Sequence, residues 1–173
     1  AVWCARDIIG DEPFAVLLPD MITLPAQKKT SRCLAQVVAA YEKHGGNIIA
    51  VEEVRPEETH QYGVVKKGKD YGNSFEITGM VEKPPQGTAP SNFIISGRYI
   101  LEPEIFSILE KGEKGAGGEI QLTDAMIALA QRRPFHGACF DGRTYDTGSK
   151  LGFLTANVAF GLTRTDIKDS FKA

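Results

Sequence analysis

The sequence predicts an α/β fold: a mixed, mostly parallel sheet flanked by helices, with a small antiparallel patch set into it. Three observations carry this. An apolar strand, a helix and a second strand follow one another over residues 14–54, the succession a parallel sheet requires. Short strands parted by Gly-, Asn- and Pro-rich turns then fill residues 62–101. Helical and extended patterns alternate again from residue 104 onward.

The elements justify themselves in order. Residues 2–9 place Val2, Ala5 and Ile9 on one helical face. That helix reads as entered midway, so the sequence suggests a domain whose start lies upstream. Residues 14–18 form a short apolar run read as a buried strand, closed by Pro19-Asp20. Residues 21–30 show no periodicity and read as a loop. Residues 31–44 repeat apolar positions at Leu34, Val37, Val38 and Tyr41, a helix with Ser31 as cap and Gly45-Gly46 as stop. A strand over 47–54 follows. Strands over 62–66, 76–82 and 93–101 make the antiparallel patch. Pro103 suits the first position of a helix over 104–111, which the glycine cluster of residues 112–118 breaks. A helix over 123–132 turns Leu122, Met126, Leu129 and Ala130 inward. A strand over 135–140 precedes a last helix, capped by Ser149, with Leu151, Leu154 and Val158 on one stripe. There is no repeat, low-complexity tract or second core, so residues 1–173 are read as one domain.

Composition narrows the function. The chain has 173 residues, 42% of them hydrophobic, with a net charge of −2. No basic stripe or polybasic run offers itself to a nucleic acid or a membrane surface. The apolar runs fall far short of the roughly 18 residues a membrane span needs. Cys4, Cys33 and Cys139 are odd in number and widely spaced, which argues against a disulfide framework or a zinc site and for a cytoplasmic protein. His44, His60 and His136 share no metal-ligand spacing.

A few polar residues stand where chemistry is done. Asp20 follows a strand in LLPD, and Asp146 sits between a strand and a helix in TYDTGSK. Carboxylates beyond strand ends lie where α/β folds bind ligands, and two of them suit Mg²⁺. Each is equally an ordinary turn-forming aspartate. Glu82 and Lys83 end a strand in EKPP. Lysine suits a phosphate and glutamate accepts bonds from sugar hydroxyls, while a solvated charge pair is the simpler reading. Neighbours on a regular strand also point to opposite faces, so both reach one ligand only where the strand ends or twists. Gly63 and Gly97, within strands, mark a bulge or a close approach of backbone. The glycines before QLTD lack the spacing of a P-loop.

In order, these motifs resemble the bacterial UTP–glucose-1-phosphate uridylyltransferases, a branch of the sugar-1-phosphate nucleotidyltransferases. The resemblance runs through LLPD at 17–20, QYGVV at 61–65, GMVEKP at 79–84, APSNFIISGRYIL at 89–101, GAGGEIQLTDAM at 115–126 and YDTGSKLGF at 145–153. It implies a Rossmann-like nucleotidyltransferase fold acting on UTP and glucose 1-phosphate, with Mg²⁺ as cofactor, in a homo-oligomer. By the same resemblance, Asp20 and Asp146 bind the metal, Gly63 and Glu82 contact the glucose, and Lys83 contacts its phosphate. Asp20 and Lys83 are then the catalytic residues. One feature departs from the family: its opening G-x-G-T-R loop, which holds the nucleotide phosphates, is not in this sequence. The chain is therefore expected to be incomplete for catalysis, with its base identity resting on resemblance. A sister enzyme using another base or sugar, or a non-catalytic sugar-phosphate-binding module, are the alternatives.

Overall fold

The computed structural model describes residues 1–26, 32–112, 118 and 120–172. Its strands are β1 (Phe14–Leu17), β2 (Met21–Pro25), β3 (Asn47–Glu53), β4 (Gly63–Asp70), β5 (Ser74–Glu82), β6 (Phe93–Leu101), β7 (Phe135–Cys139) and β8 (Gly142–Asp146). Its α-helices are α1 (Arg6–Ile9), α2 (Cys33–His44), α3 (Ile105–Glu110), α4 (Leu122–Ala130), α5 (Lys150–Thr163) and α6 (Lys168–Lys172).

The core is organised around β3, whose apolar run is buried on both faces. Ile49 and Val51 join Ile105, Phe106, Met126 and Leu129 of α3 and α4 on one side. Ile48 and Ala50 join Cys33 and Val37 of α2 on the other. Alternation along the strand thus sorts its side chains into two layers, and the sheet lies between helices. Six strands run in the order β1-β6-β3-β7-β5-β4, and β2 and β8 make a separate two-stranded sheet.

Several sequence expectations need correction. The sheet is mixed but not mostly parallel: β3 with β7 is the one parallel pairing among the described residues. β6 lies between β1 and β3 and runs against both, and β5 runs against β7. Local periodicity cannot order strands, because the order is set by contacts far apart in sequence. The expected loop over 21–30 begins as a strand, β2, paired antiparallel with β8. Its residues are nearly all half-buried, so no alternation betrays it.

β1 is an edge strand with Phe14 its only fully buried residue, not the buried strand expected. The first helical segment is a 3₁₀ turn over Val2–Ala5 followed by α1. Pro103 precedes α3 rather than opening it, and its carbonyl accepts from Phe106 N at 3.0 Å. Ser31 and most of the 112–118 glycine cluster lie outside the described residues, and Arg32 occupies the N-cap position of α2. Ser149 does cap α5, its Oγ accepting from Gly152 N at 3.0 Å. The stripe behind that cap faces outward, however: Leu151 is 76% exposed and Leu154 62%.

Candidate active site

Asp20 and Asp146 enter the site on two chain segments that are clamped together. Asp20 stands between β1 and β2, and Asp146 is the last residue of β8. Met21 and Asp146 are partners in the β2–β8 register. Beyond that pair, the backbone N and the Oγ1 of Thr147 both donate to the carbonyl of Asp20, at 2.7 and 2.8 Å. The carboxylates consequently border one small space beside Gly148. A Cβ placed on Gly148 would lie 3.1 Å from Oδ1 of Asp146 and 3.5 Å from Oδ2 of Asp20. Oδ1 of Asp146 also accepts from Gly148 N at 2.9 Å, so the side chain forms the turn while its carboxylate borders this space.

The Asp20 segment is held from below by β6. Gly97 has φ 68°, a left-handed conformation that favours glycine, and its carbonyl accepts from Leu18 N at 2.9 Å. A Cβ there would come within 2.9 Å of Met21. The close approach anticipated at this glycine is therefore made by the segment that carries Asp20. Arg98 adds a second tie, with Nη1 donating to the carbonyl of Leu18 at 2.9 Å.

Gly63 and Glu82 sit opposite one another in the β4–β5 register. A Cβ on Gly63 would lie 3.0 Å from Oε2 of Glu82 and 2.9 Å from Cδ1 of Ile95, so any side chain there would displace one or both of these side-chain ends. Lys83 resolves the difficulty of opposite faces. It lies just past β5 with φ 44°, a left-handed conformation unusual for a side-chain-bearing residue. That turn lets Glu82 and Lys83 border the same cleft. Glu82 bonds to Thr123, not to its neighbour, and among the described residues Lys83 forms no ion pair. The two side chains thus do not pair with each other, and Lys83 is exposed.

Asp20, Gly63, Glu82, Lys83 and Asp146 all line one cleft of about 350 Å³. Tyr62, Ile95, Tyr99, Gln121, Leu122 and Thr123 are among its other lining residues, and sequence reasoning did not single them out as site residues. Ile95 and Tyr99 flank Gly97, whose place within a strand marks an irregularity that could have drawn attention to them. Thr123 had only its place in the QLTDAM motif to mark it. Burial, then the charges of Glu82 and Asp20, pushes the Tyr99 phenol well above its ordinary range. Burial, then Asp146, raises Tyr62 likewise. Both phenols stay protonated at neutral pH and are available as donors. A larger hollow, about 650 Å³, lies by the far end of the β1–β6 pair. Four of its lining residues, Asp11, Glu102, Glu104 and Glu110, are acidic, so it is ill suited to a phosphate.

Known proteins are similar to this chain in sequence and shape. The nucleotidyl transferase family matches residues 1–161. The chain is 48% identical over 169 residues to a UTP–glucose-1-phosphate uridylyltransferase of Bacillus subtilis (strain 168), covering 98% of this chain and 56% of that protein. It is 49% identical over 151 residues to the enzyme of the same name from Komagataeibacter xylinus, covering 87% and 52%. Among solved structures, UDP-glucose pyrophosphorylase complexed with UDP-glucose superposes with a TM-score of 0.88 at 39% identity, over 94% of this chain and 61% of that one. UTP-bound UGPase from Acinetobacter baumannii gives 0.87 at 36% identity, over 99% and 58%. The chain thus spans little more than half the length of the relatives it matches.

Proposed function

This chain belongs to the nucleotidyl transferase family, and from that premise we propose that the complete protein transfers the uridylyl group of UTP to glucose 1-phosphate, releasing pyrophosphate and forming UDP-glucose. One observation carries the reading: five residues from four distant chain segments, all of types suited to a sugar phosphate and its metal, line a single cleft. The similarity to uridylyltransferases supplies the base and the sugar.

The roles follow from chemistry. Gly63 leaves room for the Glu82 carboxylate at the cleft wall, and Glu82 accepts from glucose hydroxyls. Lys83 neutralises the phosphate of glucose 1-phosphate, one of whose oxygens attacks the α-phosphorus of UTP. The bond from that phosphorus to the α,β-bridging oxygen breaks, and pyrophosphate leaves with the electron pair. No covalent enzyme intermediate is needed. The work is to align two polyanions and offset their charge. Asp20 and Asp146 would hold Mg²⁺: they supply hard oxygen donors that border one space, which suits this ion. When bound, the ion neutralises phosphate charge. The protonated phenols of Tyr62 and Tyr99 donate without adding a negative charge. We further propose a cytoplasmic protein that forms a homo-oligomer, and the exposed apolar face of α5 supports the association.

The test is a panel of the four nucleoside triphosphates against several sugar 1-phosphates, with pyrophosphate release as readout. UTP with glucose 1-phosphate should be the best pair. A clear preference for another base or sugar would assign the chain to a sister enzyme.

A further inference from the structure

The carboxylate of Glu82 is held in place. Thr123, in the first turn of α4, donates from Oγ1 to Oε2 of Glu82 at 2.8 Å. The same Oε2 is the atom that a side chain on Gly63 would strike. One carboxylate oxygen thus accepts from the hydroxyl of Thr123 on the side nearest Gly63, which leaves Oε1 to meet a ligand. The hydroxyl is itself presented rigidly. Thr123 is 9% exposed, its β-branched side chain has few helical rotamers, and Met126 and Leu129 bury the same helix in the core. A hydroxyl has one proton to give, and Thr123 gives it to Glu82.

We infer that Thr123 is a positioning residue for the sugar, fixing through Glu82 which carboxylate oxygen meets the glucose hydroxyls. The inference rests on the reading of this cleft as a glucose 1-phosphate site. Without the Thr123 donor, Glu82 keeps its charge but loses its orientation. The sugar then binds less well, while the phosphate contacts of Lys83 and the metal site of Asp20 and Asp146 remain.

The experiment uses the complete protein carrying this chain. Thr123→Val keeps the shape of the side chain and removes the donor. It should raise KM for glucose 1-phosphate about tenfold, equivalent to about 1.4 kcal/mol, with kcat and KM for UTP within about twofold of wild type. Thr123→Ser should restore KM. In a Glu82→Gln background the Thr123→Val change should add little, because its effect passes through Glu82. Should Thr123→Val fail to fold, as thermal melting would reveal, Thr123→Ala takes its place. An active wild type whose KM is unmoved by Thr123→Val overturns the inference. So does an equal rise in both backgrounds, or a serine variant as impaired as the valine one. A wild type that turns over UTP only with a different sugar phosphate, or not at all, refutes the functional reading, and the inference falls with it.

Discussion

At the scale of single residues, the site separates groups that hold charge from groups that hold shape. Asp20 is exposed and Asp146 half-buried, so their carboxylates are maintained chiefly by the hydrogen bonds that clamp their backbones. Asparagine keeps the Oδ1 acceptor that Gly148 N uses at Asp146 and removes only the charge. Asp20→Asn and Asp146→Asn in the complete protein should therefore lower turnover by orders of magnitude and leave the thermal midpoint nearly unchanged. Pyrophosphate release and a melting curve on each variant check this. A variant with near-normal Mg²⁺-dependent activity removes that residue from the metal site. Lys83 and Glu82 differ in the same way. Lys83→Ala should cost about 2–4 kcal/mol of transition-state stabilisation, the order for one strong electrostatic group. Glu82→Gln should weaken glucose 1-phosphate more than UTP. Small and equal effects from the two would mean that neither side chain touches substrate.

At the scale of elements, the C-terminal end of α2 meets the sheet through stacked histidines. His44 of α2 lies against His136 of β7 with ring centroids 4.6 Å apart, and Tyr71 packs on both. His44 Nε2 is 2.9 Å from Ser74 Oγ, and Glu76 is the register partner of His136. Burial lowers both histidine pKa values, aided by Lys43 at His44 and by His44 at His136. The folded state thus prefers the neutral rings. Below about pH 6.5 the unfolded chain binds more protons than the folded one, so stability is full above that pH and drains as pH falls toward the folded values. His136→Phe keeps an aromatic stack without a proton. It should flatten the loss of thermal midpoint between about pH 7.5 and about pH 5.5. An unchanged slope would place the pH dependence elsewhere. The elements also differ in how plainly the sequence announces them. α2 and β3 were legible because one buries a single stripe and the other a continuous apolar run. The β2–β8 ribbon was not, because half-buried residues carry no period, and so the sequence shows a strand over 135–140 but not the one that ends at Asp146.

At the scale of the whole molecule, the pattern of layers was readable and the strand order was not, since β6 reaches its place between β1 and β3 through pairings dozens of residues apart. The five residues that share the cleft were readable because the ordered motifs name them, whereas Thr123 and Tyr99 join them there only through the packing of α4 and β6. The same large-scale view exposes surfaces that this chain leaves uncovered. Leu151, Phe153, Leu154 and Val158 of α5 are 76, 55, 62 and 48% exposed, where a helix of this polarity pattern ordinarily faces a core. Among the described residues β1 pairs only with β6, so one side of its backbone is bare, and Leu17 on it is 48% exposed. Apolar faces and open edges of this kind seek partners. A protein made only of residues 1–173 should therefore self-associate, which sedimentation across a concentration series would reveal, and Leu154→Lys with Val158→Lys should shift it toward the monomer. The same protein should fail to form UDP-glucose. The one lysine or arginine among the described residues lining the cleft is Lys83, and a lone cation with a metal ion is a weak hold on a triphosphate. A span that stays monomeric at high concentration would mean that the α5 stripe and the β1 edge are too small to associate. Turnover matching that of the complete protein would put the residues gripping UTP within this chain.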